Sequence, residues 1–426
     1  MPNTPSLLKV LISCLIALQP ADISVADSKK EMQQAVSDNS CLRQVTLEEF
    51  RAIALEKSPL VAEIDSQYAR EVAKAYDTEV FRNPEVQFEQ VYTNMQLGGD
   101  NDPQTNASLA LPLRLSNFGA KSRVAALIKS AGDKQRKAKL LELAQRLVSQ
   151  YANLYALQKT DELLAEAEKR ASKKVELIHE GVNKGLLSEG DHQLFEGEKY
   201  RLQSQRAGLR SALAVLRYEQ SLLLGTPCSI SALTPPNLGD LPDSTQLIKK
   251  AHSSEISELA RVDLLASLNV EQRRLAELDA VPEFAPRIVY QHTNDGGDFL
   301  GAGISIPLPV FNRNRGNIES ATAEQESARR KRELLSDGGF DAQVVALREA
   351  AASAAQQSRI FQSKVVPAFA GALQSQERLY SQGKGNVLQV WQTLRTYNDA
   401  QREALTVWLE AVSARSQLAI LIGEEI

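Results

Sequence analysis

The feature that most constrains this chain is a pattern of prolines, tyrosines and glycines that occurs twice, roughly 198 residues apart. The matching landmarks are Pro84 and Pro282, Tyr92 and Tyr290, Gly119 and Gly316, Gly185 and Gly383, and Gly225 and Gly423. This period is far longer than the repeat of a solenoid protein, which is about 20–45 residues. The sequence therefore predicts a duplicated unit the size of a domain.

The repeat divides the chain into six parts. We predict a signal peptide at residues 1–26, an N-terminal segment at 27–45, a first unit at 46–225, a Pro-, Ser- and Gly-rich linker at 226–243, a second unit at 244–423 and a C-terminal tail at 424–426. Each unit is predicted to contain a helix, a pair of strands and a long helical hairpin.

The first helix of each unit begins at a capping sequence. Thr46 is an N-cap candidate and Glu49 completes a capping box, so we predict a helix from residue 46 to about residue 75. In the second unit the stretch from Asp243 to Gln246 has the same role, and the helix is predicted to reach Leu278.

Two strands follow in each unit. We predict them over residues 84–93 and 107–115 in the first unit, and over 287–293 and 299–310 in the second. The loop Asn294-Asp-Gly-Gly-Asp298 is a strong hairpin signal. Strands of about 9–11 residues are long enough to cross an outer membrane when tilted.

The rest of each unit is a long helical hairpin. Residues 117–183 contain no strong helix breaker and at about 1.5 Å per residue reach roughly 90 Å. Helical spacing is kept by Leu140, Leu143, Leu147, Tyr151 and Leu154. A return helix is predicted over residues 188–224. The second unit repeats the pattern over residues 317–381, with a bend at Pro367, and its return helix ends at Gly423.

The composition excludes several classes of function. A net charge of −4 provides no bulk basic surface for nucleic acid. The three cysteines and four histidines are scattered without metal-ligand spacing. We find no nucleophile–base pair, phosphate loop or metal motif. The sequence therefore predicts neither an enzyme nor a bound cofactor.

The N-terminus has the pattern of an export signal. An apolar run at residues 10–18 precedes Ser24-Val-Ala26, a plausible cleavage site. Leu11-Ile-Ser-Cys14 also fits a lipoprotein box, which leaves lipidation of Cys14 open. In an oxidising compartment Cys41 and Cys228 could form a disulfide, and two unpaired thiols are the alternative.

No later segment supplies about 20 consecutive apolar residues, so no transmembrane helix is predicted. If the protein spans a membrane, it must do so with strands whose edges are paired. Four strands cannot close a barrel, so several copies would have to share one. Three copies give 12 strands, a normal size for an outer-membrane barrel.

The order helix, hairpin and long helical hairpin, present twice, resembles that of the TolC-like outer-membrane efflux proteins over nearly the whole mature chain. Pro307-Leu-Pro-Val-Phe-Asn-Arg-Asn-Arg-Gly-Asn317 resembles an element of the cobalt-zinc-cadmium (CzcC-like) heavy-metal branch. Leu111-Pro-Leu113 with Gly119-Ala-Lys-Ser-Arg123 is similar to its first-repeat counterpart, although Ser116-Asn-Phe118 stands where that branch usually has glycines. Tyr380-Ser-Gln-Gly383 is similar to the family's second-repeat turn.

The resemblance implies a mainly α-helical fold with a membrane β-barrel. The protein would be a homotrimer with a 12-stranded barrel, four strands per chain, in the outer membrane of a Gram-negative bacterium. A long helical barrel would continue into the periplasm. The implied partners are outer-membrane lipid, a periplasmic membrane-fusion adaptor and an inner-membrane RND-type pump. The chain would be the passive exit duct of a tripartite efflux system.

The metal-branch motifs imply that the cargo is divalent heavy-metal cations. One alternative is the same duct in a multidrug or organic-solute efflux system. An alternative of another class is a periplasmic coiled-coil adaptor, which would have one helical hairpin and a compact β domain.

The resemblance also implies three sets of functional residues. The adaptor-docking tips are Gly185, Leu186, Leu187, Ser188, Gly383, Lys384, Gly385 and Asn386. The candidates for the periplasmic aperture are Glu189, Asp191, Gln389 and Gln392. The barrel-to-helix junction is Pro112, Gly119, Pro307, Pro309, Asn312, Arg313, Asn314 and Gly316.

Simpler interpretations of these residues remain open. The tip glycines can be ordinary turn residues chosen for backbone freedom. Three copies of Asp191 would attract cations, or Asp191 is a solvated surface carboxylate. Gln389 and Gln392 stand where many family members have acidic residues, which argues against a carboxylate gate there. His179 and His192 flank the first tip and could contact metal in transit, although a single His near a turn is more often solvated.

Overall fold

The structure is a computed structural model that describes residues 42–91, 104–225, 229–293 and 296–425. The predicted signal peptide and the sites at Cys14, Cys41, Tyr92 and Cys228 lie outside these residues.

The two halves of the chain contain the same succession of elements, except that one long outgoing helix in the first half corresponds to three consecutive helices in the second. The first half consists of strand β1 (Leu42–Val45), helices α1 (Leu47–Lys57) and α2 (Pro59–Glu79), strands β2 (Glu85–Val91) and β3 (Gln104–Ala110), a 3-10 turn (Leu115–Asn117), and helices α3 (Phe118–Asn183) and α4 (Glu189–Leu224). The second half consists of strand β4 (Ser229–Ala232), helices α5 (Ser244–Ser253) and α6 (Glu258–Leu278), strands β5 (Ala285–His292) and β6 (Asp298–Ser305), and helices α7 (Arg315–Leu334), α8 (Phe340–Ile360), α9 (Val366–Ser381) and α10 (Val387–Ile422). Two π-helical turns, Leu335–Gly339 and Phe361–Val365, join α7 to α8 and α8 to α9.

The helix predicted over residues 46–75 is wrong as a single helix, because Pro59 divides it into α1 and α2. The predicted capping box is confirmed, with the Thr46 backbone N–H donating to Glu49 Oε2 at 2.9 Å. Ser58 ends α1 in an extended conformation and caps α2, where Pro59 occupies the first position without losing a helical hydrogen bond. The corresponding helix of the second half is likewise divided between α5 and α6.

The return helices α4 and α10 end at the predicted glycines, Gly225 and Gly423. Both have positive φ, 60° and 73°. A Cβ atom at Gly225 would lie 2.6 Å from the Lys57 carbonyl oxygen, and one at Gly423 would lie 2.5 Å from the Ser257 nitrogen. Each glycine is therefore needed both for its φ and because it packs against the break between the first two helices of its own half.

Helix α3 contains 66 residues, confirms the predicted uninterrupted helix and is about 100 Å long. The single helix predicted over residues 317–381 is wrong. Gly338 interrupts it with a φ of 82°, within the first π-helical turn. The second π-helical turn ends where the Val366 N–H donates to the Phe361 carbonyl, directly before Pro367. Since Pro367 cannot donate a hydrogen bond, the wider turn accommodates it.

Strands β2, β3, β5 and β6 form one antiparallel sheet in that order. The two predicted hairpins are confirmed, and the pairing of β3 with β5 joins them. The strands have seven or eight residues; β2, β3 and β6 are shorter than predicted, and β5 is one residue longer. Those predicted to reach residues 115 and 310 end at Ala110 and Ser305, because the prolines that follow lack a backbone donor.

A second sheet, which the sequence analysis did not predict, connects the N-terminal segment to the linker. Strands β1 and β4 are parallel, and Leu42 pairs with Ser229. Cys41 and Cys228 lie outside the described residues, so the alternatives of a disulfide and two unpaired thiols both stay hypotheses. The fully buried Tyr151 supports this sheet. Its hydroxyl donates to the Val45 carbonyl at 2.9 Å and accepts from the Leu233 N–H at 3.1 Å.

The helices pack side by side in two rows. Near the four-stranded sheet the order is α2, α3, α6 and α7. Farther from the sheet the order is α4, α3, α10 and then α8 with α9. Apolar side chains fill the spaces between them, including Phe50 and Leu147 in one cluster and Ile178, Phe195 and Leu394 in another. The described molecule is therefore a single layer, with four strands side by side in the sheet and four helical positions side by side in each row.

Helix α10 is the one helix of the described part that is long and apolar enough to cross a membrane, as judged by length and composition. The sequence predicted this return helix, but it did not predict a helix with enough apolar character to cross a membrane. Nearly half of its most apolar stretch is buried inside the molecule, including Val407, Trp408 and Leu418. Packing against α3 and α8 accounts for this apolar character.

We expect Tyr151→Phe to lower the stability of the β1–β4 region. Without the hydroxyl, the buried Val45 carbonyl and the Leu233 N–H keep only the 3.0 Å hydrogen bond between them, and the Thr234 N–H loses the acceptor that lies 3.3 Å away. The loss of a hydrogen bond of this kind costs about 0.5–1.5 kcal/mol. The measurement is the midpoint of thermal or urea unfolding. Tyr155→Phe is the control, because Tyr155 contacts Trp408 through its ring. Equal losses for the two variants would contradict this role of the Tyr151 hydroxyl.

Candidate functional site

The four-stranded sheet has one apolar face and one polar face. Because side chains alternate along a strand, the register assigns each residue to a face. The apolar face carries Val86, Phe88, Leu109, Ile288, Tyr290, Leu300 and Ile304. The polar face carries Glu85, Gln87, Glu89, Asn106, Ser108, Arg287 and Gln291, with Val91, Val289 and Phe299 as apolar exceptions.

The apolar face is exposed in the single chain. Phe88 and Leu300 are each 78% exposed. Exposed apolar residues continue past the strand ends at Leu111, Ile306, Leu308, Val310 and Phe311. Monomeric soluble proteins rarely leave so large an apolar patch in water. This face therefore requires an apolar covering.

The sheet also has two open edges. Within the described residues β2 pairs only with β3, and β6 pairs only with β5. Each outer strand thus presents a row of unpaired backbone groups. Since β2 and β6 run in opposite directions, β2 of a second copy can pair with β6 in the antiparallel pattern of the rest of the sheet.

Asn314 is the central residue of the predicted junction. It caps α7 and is the one non-glycine residue of the described chain with positive φ, 58°. Asparagine tolerates this left-handed region better than most residues. Its side-chain N–H donates to the Ala276 carbonyl at 2.8 Å, and its side-chain oxygen accepts from Asn317 at 2.7 Å. Asn314 therefore ties the start of α7 to the end of α6.

The first half uses Asn117 at the equivalent position before α3. Asn117 is 3% exposed and donates to Asp279 Oδ1 at 2.5 Å. Arg114 reaches the same oxygen at 2.9 Å, and Arg82 pairs with Glu283 at 2.6 Å. These residues were not among those predicted from the sequence. The available signal was that Asn117 and Asn314 are separated by the same number of residues as Gly119 and Gly316.

The other predicted junction residues surround these contacts. Pro112 is buried and Pro309 is half-buried, whereas the residues exposed to solvent are Gly119, Pro307, Asn312, Arg313 and Gly316. Asn312 accepts a hydrogen bond from the Asn314 backbone N–H at 3.0 Å, which shapes the turn into α7.

The two helical tips adopt the same turn at the opposite end of α3, about 100 Å from the sheet. Gly185 and Gly383 have φ of 71° and 72°. At the first tip Leu186 donates to the Gly181 carbonyl at 2.9 Å and Gly185 donates to Val182 at 2.8 Å, the hydrogen-bond pair of a Schellman motif. Lys384 and Gly383 donate the equivalent pair at the second tip.

The remaining tip residues start the return helices. Ser188 caps α4 and Asn386 caps α10. Leu186 is 75% exposed, so the first tip presents an apolar side chain at its end. Leu187 and Gly385 are half-buried and Lys384 is exposed. Each tip thus has a backbone held by hydrogen bonds, and the two tips together expose a small surface of apolar and charged side chains.

Asp191 has a structural partner. Its carboxylate accepts from the Ser188 hydroxyl at 2.8 Å and from the Ser188 N–H at 3.2 Å, completing a capping box. The side chain also lies close to the second tip, where burial, and then the charge of Asp191, raise the pKa of Tyr380. Gln389 and Gln392 are exposed one turn beyond the second tip.

The structure brings His179 and His192 together, with ring centroids 5.1 Å apart. Glu189 Oε1 lies 3.4 Å from His192 Nδ1. Nevertheless, across residues 42–91, 104–225, 229–293 and 296–425, no three His, Cys, Asp or Glu side chains are grouped so that they could hold a metal ion. The two histidines form a ring contact at the first tip.

Comparison with known proteins rests on structure, since no protein-family model and no curated protein matches the sequence. Crystal structures of CusC, described in terms of transmembrane channel formation, superpose with a TM-score of 0.71 at 15% identity, covering 88% of this chain and 92% of that one. The outer membrane protein VceC of Vibrio cholerae gives 0.69 at 16% identity, covering 89% and 96%. The open outer membrane channel MtrE of Neisseria gonorrhoeae gives 0.69 at 14% identity, covering 89% of each chain.

These likenesses extend over nearly the whole of each molecule. The fold predicted from the sequence resemblance, a strand region continuous with long helical hairpins, is therefore confirmed. At 14–16% identity the likeness concerns the fold, and function has to be argued from the residues.

We expect Asn314→Ala to destabilise the junction more than Asn314→Gly. Both variants lose the hydrogen bond to Ala276. Alanine must in addition hold a φ of 58°, and the left-handed region costs a residue with a Cβ atom about 1–2 kcal/mol. The measurement is the thermal unfolding midpoint of each variant. A smaller loss for alanine than for glycine would contradict this account of the turn.

Proposed function

We propose that three copies of this chain form a TolC-like duct in the outer membrane of a Gram-negative bacterium, as the exit component of a tripartite efflux system. The observation that carries the proposal is the sheet with one exposed apolar face and two unpaired edges. If the sheet closes with copies of itself inside a bilayer, lipid covers the apolar face and the two edges pair with neighbouring copies.

The proposed number of copies is consistent with the number of strands. One chain contributes four antiparallel strands to the sheet, too few to enclose an interior. Joining β6 of each copy to β2 of the next keeps every neighbouring pair antiparallel. Three copies give 12 strands, within the range of outer-membrane barrels. The apolar face would then contact lipid, and the polar face would line the interior.

The helices support the same assembly. The rows end at α2 and α7 near the sheet, on the same two sides as β2 and β6. Closing the sheet would therefore close the helices into a tube about 100 Å long, as given by the 66 residues of α3. Such a tube suits a conduit across the periplasm, and the chain itself would carry out no reaction.

The partners are proposed from the position of the tips. The tip set Gly185 to Ser188 and Gly383 to Asn386 would contact a periplasmic membrane-fusion adaptor, which connects the duct to an inner-membrane RND-type pump. Glu189, Asp191, Gln389 and Gln392 would surround the periplasmic aperture. Since Asp191 completes the capping box of α4, its charge would be held at a fixed position.

The cargo we propose is divalent heavy-metal cations. The support is the Pro307 to Asn317 motif and its first-repeat counterpart, with the carboxylates of Glu189 and Asp191 near the tip. The alternative is an organic-solute or drug duct, which the same fold serves equally well. The adaptor alternative is disfavoured. An adaptor would have one helical hairpin and a compact β domain, whereas this chain has two helical hairpins and a sheet with an exposed apolar face.

A strain that lacks this chain tests the proposal. We expect lower tolerance to cobalt, zinc, cadmium, nickel or copper ions, unchanged tolerance to a panel of drugs, and recovery on complementation. The protein should migrate as a heat-resistant trimer from outer-membrane fractions. Reduced tolerance to drugs alone would replace the metal proposal with the organic-solute alternative. Unchanged tolerance to both panels would contradict export.

The assignment of the two sheet faces predicts opposite results for neighbouring substitutions in β2. Phe88→Arg places a charge on the apolar face, where Arg facing lipid near the bilayer midplane costs about 2–4 kcal/mol. Gln87→Arg places the same charge on the polar face and is the matched control. We expect Phe88→Arg to reduce the amount of trimer in outer membranes, while Gln87→Arg leaves it near wild type. The reverse order would contradict the assignment.

A further inference from the structure

Three charged side chains of the polar face have no partner in the described chain. Glu85 and Glu89 on β2 and Arg287 on β5 take part in no hydrogen bond or ion pair there. By contrast, Arg82 and Arg114 at this end of the molecule form ion pairs with Glu283 and Asp279. The polar face therefore holds charges of both signs that a single copy leaves unmatched.

Arg287 extends toward an open edge of the sheet. It faces Gly303 in the register of β5 and β6. A Cβ atom at Gly303 would lie 3.3 Å from Arg287 Nε and 3.5 Å from its Cγ. The arginine side chain thus lies across β6, in the space that a larger residue would fill. Gly301, the neighbouring residue on the same face, also leaves this space free.

The carboxylates lie on the other open edge. Glu85 and Glu89 belong to β2, whose outer side is unpaired. In the barrel of the proposed function, on which this inference rests, β6 of one copy pairs with β2 of the next. Arg287 would then point across β6 toward a strand with two acidic side chains on the same face. The charges at the two edges are complementary.

The tilt of barrel strands selects between the two acids. For 12 strands tilted by about 35–45°, spaced about 4.8 Å apart and rising about 3.3 Å per residue, the register shifts by about 12–17 residues around the barrel, or about 4–6 per copy. In one copy Glu85 is level with Arg287 and Gly303. On β2 of the next copy, the residue beside Gly303 must therefore lie about 4–6 positions away from Glu85 in the sequence.

The direction of the shift follows from chirality. Leu113 and Phe284 exchange backbone hydrogen bonds of 2.8 and 3.0 Å. The side of a strand to which a residue's backbone hydrogen bonds point depends on the direction of the strand and on the face that carries the side chain. These hydrogen bonds therefore place β3 to the right of β5 when the apolar face is viewed with the hairpins at the top. Barrel strands lean to the right in that view, because strands twist right-handedly. The next copy's β2 is thus displaced so that a residue nearer the hairpins, Glu89, lies beside Gly303 or Ser305.

We propose that Arg287 of each copy forms an ion pair with Glu89 of the next copy on the inner wall of the barrel. Three such pairs would close the three seams between copies. A slip of one residue would move the whole of β2 to the wrong face, and a charged pair that spans the seam disfavours such a slip. Gly303 keeps the path of the arginine open.

Charge exchange tests the pair in the full-length protein. Arg287→Glu and Glu89→Arg are each expected to lower the yield of heat-resistant trimer about tenfold, because each sets like charges against one another at the seam. The double variant should recover most of the wild-type yield. The matched control is Arg287→Glu with Glu85→Arg, which places the same charge on the same strand and face but should not recover it.

Variants that remove a charge instead of reversing it test the pair if charge reversal prevents insertion into the membrane. Arg287→Gln and Glu89→Gln each remove one charge, and the double variant should lose no more trimer heat resistance than either single variant. Additive losses, or recovery with Glu85→Arg instead of Glu89→Arg, would overturn the proposed pair. If wild-type protein forms no heat-resistant trimer, the proposed function fails. If it does and only the exchange fails, the seam pair alone is wrong.

Discussion

The unpaired backbone groups along β2 and β6 are the constraint on which the rest of this structure depends. In water the apolar face of the sheet would be exposed, and in lipid the open edges would leave hydrogen-bonding groups without partners. One chain cannot meet both requirements with four strands. Closure with further copies meets them together, and because β3 and β6 lead directly into the outgoing helices, the same closure determines how the helices are arranged.

The outgoing helices of the two halves connect the two ends of the molecule. Asn117 and Asn314 each tie the start of an outgoing helix to the end of α6 or the residue after it. Helix α3 then continues without a break to the tips, where the apolar cluster that contains Ile178, Phe195 and Val387 holds the two turns close to each other. One continuous helix about 100 Å long therefore joins the junction to the tips.

The predictions that succeeded rest on signals contained within a few residues. The Thr46 capping box, the glycine helix ends and the turn between β5 and β6 depend on local sterics and hydrogen bonds. The failures also have local causes that the periodicity obscured. Pro59 and Gly338 interrupt helices whose apolar spacing continues past them, and the prolines after β3 and β6 shorten the strands. Strand β4 is too short for alternation to be recognised.

The sequence by itself determined that there are two equivalent units, where most helices begin and end, and that each unit carries one hairpin. These follow from spacing and from residues with restricted backbones. Only the tertiary structure decided the pairing of β3 with β5, the assignment of side chains to the two faces, the contact of His179 with His192 and the reach of Arg287 across Gly303. Such contacts join residues distant in the chain, and their register depends on packing that no local pattern encodes.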